Sequence, residues 1–141
     1  MFGDGEEKQL LRKILAILER AFAVTDFQLF QRTGDFVHMI TGVQAGATGT
    51  FQIGFVPPNG VPLPSPPTVT TTDTNVTLSG VSTDGNFTFT AAVAASETAT
   101  SFPITVSGTN AAGAPLSHTF TVPVIAAPSP QITDFTLNQL S

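Results

Sequence analysis

Residues able to carry acid–base chemistry are few in this chain: two histidines, His38 and His118, and ten carboxylates. A general base or nucleophile needs a partner that tunes its pKa and holds its orientation. Neither histidine has an Asp, Glu or Ser at a recognisable spacing, so each reads as a structural or surface imidazole. Serine is frequent, yet no Gly-x-Ser-x-Gly elbow or Ser-x-x-Lys motif occurs. Asp73-Thr74-Asn75 and Asp84-Gly85-Asn86 cluster oxygen donors in the manner of a calcium loop. A hard cation wants roughly six to eight oxygens with several carboxylates, and the same Asp, Asn and Gly are what tight turns demand. Asn75-Val76-Thr77 and Asn86-Phe87-Thr88 match the N-glycosylation acceptor pattern, which arises readily by chance in a Thr-rich chain. The chain has no Cys, so no disulfide or thiolate site exists. No phosphate-binding loop, dinucleotide fingerprint or zinc spacing is present. The expectation is a protein with no catalytic, cofactor or metal residues.

The charge distribution points the same way. All five basic residues, Lys8, Arg12, Lys13, Arg20 and Arg32, lie in the first 32 positions of a 141-residue chain with net charge −5. Beyond Arg32 the charges are Asp35, Asp73, Asp84, Glu97 and Asp134. A surface without cations forms no clamp on phosphate and repels polyanions, which argues against nucleic acid as a partner. Charged residues make up 11% of the chain against about 25% in an average domain. Trp and Tyr are absent, so aromatic burial falls to twelve Phe. No run approaches the ~18 apolar residues of a membrane span, and no secretory signal is visible at the acidic N-terminal stretch.

Residues 1–23 read as an amphipathic helical head. Asp4 fits an N-cap with Glu7 at the capping-box position, and the helix is expected over 5–22. Leu10, Leu11, Ile14, Leu15, Ile17, Leu18, Ala21 and Phe22 recur at steps of three and four, with the charges largely elsewhere on the wheel. A stripe this wide must be covered. Its own β-domain, another copy of the helix and a membrane surface are the three candidates, the last weakened by a polar face that mixes both signs.

After the helix the period changes to two. Strands are expected at 24–29, 35–40, 50–56, 68–71, 76–78, 86–93, 102–108 and 118–125, with a proline-rich crossing from Pro62 to Pro67. Short strands every 8–12 residues, punctuated by Gly, Pro and Asn, are the pattern of an antiparallel β-sandwich. The domain reading is a connecting strand or linker at 24–34, a sandwich at 35–125, and a Pro-rich linker with an apolar, strand-like tail at 126–141. Several stretches resemble a bacterial immunoglobulin-like domain: Thr50-Phe51-Gln52-Ile53 ahead of Pro57-Pro58-Asn59-Gly60, Asp84-Gly85-Asn86-Phe87-Thr88-Phe89, and residues 104–113 running into Thr119-Phe120-Thr121-Val122-Pro123-Val124. The resemblance covers about half the chain and departs from the family in lacking a core Trp, a Cys pair and a corner Tyr. It implies an immunoglobulin-like sandwich, of the kind that serves as spacer, adhesin, surface-layer module or phage decoration.

A repeat crosses the domain boundaries. Val24-Thr25-Asp26-Phe27-Gln28-Leu29 and Ile132-Thr133-Asp134-Phe135-Thr136-Leu137 share the pattern aliphatic-Thr-Asp-Phe-x-Leu. The second copy reads either as a terminal strand packed on its own domain or as a strand that adds to a neighbour. Taken together, these features favour a non-enzymatic assembly protein, a homo-oligomer or part of a larger scaffold in a virion, sheath, surface layer or cell-surface array. Its interface residues would be Leu10, Leu11, Ile14, Leu15, Ile17, Leu18 and Phe22 of the helix, with Ile132, Phe135, Leu137 and Leu140 of the tail. The alternative is an adhesion module whose loops contact a glycan or protein receptor.

Overall fold

The computed structural model describes residues 4–128. One helix, α1 (Asp4–Ala21), precedes nine strands: β1 (Asp26–Thr33), β2 (Phe36–His38), β3 (Val43–Gln44), β4 (Thr48–Val56), β5 (Thr68–Thr70), β6 (Val76–Leu78), β7 (Thr88–Val93), β8 (Ser101–Thr109) and β9 (Pro115–Ile125). They form two sheets, a five-stranded one in the order β2-β1-β4-β7-β6 and a four-stranded one in the order β3-β9-β8-β5. Every pairing between named strands is antiparallel except β3 with β9.

Two-residue alternation builds the core. Phe27 and Leu29 of β1, Phe51 and Ile53 of β4, and Phe89, Ala91 and Val93 of β7 point inward from the first sheet. Phe102, Ile104 and Val106 of β8 and Val122 of β9 meet them from the second. Phe51 and Phe89 stack at 5.5 Å between ring centroids. The Thr residues take the intervening outward positions, as β-branched residues do on a half-buried pleat.

The segment 24–34, read as a connecting strand or linker, contains β1, the second strand of the larger sheet, in register with β4 from Asp26↔Val56 to Arg32↔Thr50. Polar Gln31 occupies an inward position in this strand, which broke the apolar alternation and hid its length. Strand β3 was also unforeseen. Its approach depends on two glycines. Gly42 has φ 123° and sits where a Cβ would lie 2.8 Å from the Pro123 carbonyl, while a Cβ on Gly49 would lie 2.5 Å from Val43.

Both ends of the buried Gln31 amide are engaged. Its Nε2 donates to Gly42 O at 2.8 Å, and its Oε1 accepts from the Thr41 amide (3.0 Å), the Thr41 hydroxyl (3.2 Å) and the Gly42 amide (3.1 Å). Buried Asn110 works likewise at the other end of β1, donating to Val24 O at 2.9 Å and accepting from the Ala112 and Ala114 amides.

Two stability predictions arise. Phe51→Ala, at a site with 0% exposure, is expected to cost ~3–5 kcal/mol, read from urea unfolding midpoints. Gln31→Ala leaves the Thr41–Gly42 groups without their partner and is expected to cost roughly 1–3 kcal/mol in the same assay, with increased amide exchange at Thr41 and Gly42.

Candidate functional site

Folding creates an acid–imidazole pair that spacing along the chain conceals. His118 of β9 projects into the gap between the sheets, and its Nδ1 lies 2.8 Å from Asp26 Oδ1 at the start of β1. The two residues are 92 positions apart, so only the meeting of β1 with β9 across the sheets brings them together. The imidazole lies flat on Phe120, at 4.2 Å between centroids and 5° between planes. The His118 hydrogen bond, aided by the Phe27 amide at 2.8 Å, holds the Asp26 carboxyl below its ordinary value of 3.8.

A carboxylate on Nδ1 is the orienting half of a nucleophilic triad. The other half needs a hydroxyl or thiol on Nε2, and among the described residues no such hydrogen bond is made. The geometry suits a fastener: it ties the first strand of one sheet to the last strand of the other. His38 has a separate task. Its Nδ1 bonds to the Met39 carbonyl at 2.7 Å, so that nitrogen carries the proton. Its Nε2 pairs with the Thr33 hydroxyl at 2.9 Å, bridging the β1–β2 hairpin.

The oxygen-rich loops are turns closed by their own side chains. Asp73 Oδ1 accepts from the Asn75 amide at 2.8 Å. Asp84 accepts from the Asn86 amide (3.0 Å) and the Ser82 hydroxyl (2.8 Å), which keep its carboxyl below the ordinary value. Among the described residues no group of three or more His, Cys, Asp or Glu is placed to hold a metal ion.

The residues of α1 named as an interface lie together on one exposed face, and Phe22 follows directly after the helix. Leu10, Leu11, Ile14, Leu15, Ile17, Leu18 and Phe22 are each between 44% and 65% exposed. Immediately after them the chain is locked into the sandwich. The Phe22 carbonyl accepts from the Val61 amide at 2.8 Å, Ala23 bridges to Val61, and Val24 is 1% exposed. No helix among the described residues is long and apolar enough to cross a membrane. Ile132, Phe135, Leu137 and Leu140 lie outside the described residues. Compared with known proteins, the sequence matches no family model and no curated relative.

The Asp26–His118 bond sets a pH dependence. A carboxylate with a lowered folded pKa contributes stability above its unfolded value near 3.8, and that contribution fades as pH falls through the lower folded value. Asp26→Asn is therefore expected to lower the urea midpoint at pH 5, with the gap to wild type closing as the buffer is taken well below pH 3.8. A gap that stays constant down to the acid limit would show that the charge contributes nothing.

Proposed function

We propose that this chain is a non-enzymatic structural protein: an immunoglobulin-like module that docks to copies of itself, within a larger scaffold such as a virion, sheath or surface layer. The observation carrying this reading is the uncovered stripe of α1. The sandwich closes its core without the helix, and six large apolar side chains remain exposed along one face of α1, with Phe22 exposed just after it. Contiguous apolar patches of this kind mark interaction surfaces. Burying each Leu, Ile or Phe contributes ~1.5–3 kcal/mol, set against a cost of roughly 4–15 kcal/mol for association.

Strand order supports the immunoglobulin-like part of the reading. Such domains place strands A, B, E and D in one sheet and C, F and G in the other. Taking β1, β4, β5, β6, β7, β8 and β9 as A to G in chain order yields A-B-E-D and G-F-C for the two sheets. The short strands β2 and β3 are then an excursion between A and B. Both histidines and both buried amides are engaged in holding strands and turns together, which supports a mechanical role over catalysis.

Light scattering over a concentration series is expected to give a mass that is a multiple of 14.7 kDa. Leu11→Asp or Ile14→Asp should reduce that mass toward a single chain while leaving the β-sheet circular dichroism unchanged. Mutants that keep the wild-type mass would refute helix-driven assembly.

A further inference from the structure

Strand β9 is paired with β8 on one side from Pro115↔Thr109 to Pro123↔Ser101. On the other side, among the described residues, β3 pairs with it only at Val124 and Ile125. The Val124 amide donates to Thr100 O at 2.9 Å, toward β8, and the Ile125 carbonyl accepts from Ala45, away from it. Alternation along a strand then turns the amides of Ser117, Thr119 and Thr121 to the open side. Pro115 and Pro123 bracket them, as prolines do at strand edges. The result is a short template of three amides, unpaired among the described residues, with defined ends.

Beside this edge runs a groove of about 450 Å³, lined by Phe27, Leu29, Met39, Ile40, His118 and Phe120 among others. Met39 is 82% exposed at its rim. The strand on its far wall, β1, begins within the first copy of the aliphatic-Thr-Asp-Phe-x-Leu repeat. That copy displays what the pattern does against β9: Asp26 takes the His118 hydrogen bond, while Phe27 and Leu29 face inward at 1% and 7% exposure. The second copy, residues 132–137, repeats the spacing, with Phe135 and Leu137 two apart and thus on one face of an extended chain.

We propose that the open edge of β9, residues 115–121, is the acceptor for residues 132–137 of a second copy of the chain, which add as a strand and seat Phe135 and Leu137 in the groove. The proposal rests on the assembly reading above and names the surface the tail engages. Main-chain bonds would supply affinity and alternate side chains the fit. A second copy is the donor because β3 occupies the edge at Val124 and Ile125, where a tail folding directly back along its own β9 would have to start. Pro128 further biases Ala127, the residue before it, toward extended conformations.

The absence of Cys makes the test clean. Full-length chains carrying Thr119→Cys together with Asp134→Cys or Thr136→Cys, the tail positions opposite in face to Phe135 and Leu137, are mildly oxidised and run on non-reducing gels. Disulfide-linked dimers and higher ladders are expected in at least one pairing, and adding Phe135→Asp should reduce them at least tenfold. An intramolecular disulfide in a monomeric band would overturn the exchange between copies. No cross-link in either pairing, with wild-type light scattering still showing a multimer, would overturn this acceptor while the assembly reading stands. A single-chain wild-type mass at every concentration would overturn both.

Discussion

The amide of Gln31 is the contact on which the arrangement of the two sheets turns. Strand β1 belongs to the five-stranded sheet, yet the chain must leave it, pass through β2 and deliver β3 to the other sheet. A third apolar residue after Phe27 and Leu29 would have filled the inward position but held nothing in particular. An amide there carries two donors and a two-lone-pair acceptor, and burial makes any unmet group costly. Both ends of the Gln31 amide find their partners at Thr41 and Gly42, so the crossover point is specified by hydrogen bonding where hydrophobic burial alone would allow sliding. Gly42 and Gly49 then let β3 close on β9 and β4 without a side chain intervening.

At the opposite end of β1, Asn110 and His118 perform the matching task from the second sheet. The strand is thereby tied at both ends to elements distant in sequence. This explains how the chain can change from helix to sandwich within a few residues: Phe22 is still exposed, whereas Ala23 and Val24 are buried. A helix entering so firmly held a strand has a fixed point of departure, and its apolar face is presented without help from the core.

Much of this fold was legible in the sequence. The helix over 5–22 differs from α1 by one residue at each end, and the strands with clean alternation, such as Thr48–Val56 and Ser101–Thr109, stood where their Phe and Ile residues placed them. The turns at Asp73, Asp84 and Asn110 use the side-chain-to-backbone bonds that those residue types favour. What escaped notice was set by contacts between distant positions. The extent of β1 was masked by Gln31, whose polarity makes sense only once Thr41 and Gly42 are in place. Strand β3 is two residues long and exists because β9 is beside it. The Asp26–His118 pair has no local signature, since nothing near either residue foretells the other. The helix stripe was legible as residues, and its exposure follows from a core complete without it.

The placement of the positive charges has a practical side. Lys8 and Lys13, the chain's two lysine residues, both stand exposed on α1, and the sandwich has none. Amine-directed reagents aimed at lysine side chains would therefore decorate the helix and spare the β-strands. A chain immobilised through those amines would be oriented, with its helix against the support and both sheets presented to the medium. For the same reason trypsin, which cleaves after Lys and Arg, has no site beyond Arg32, and residues 33–141, with β2 to β9 among them, would leave a digest as one large fragment.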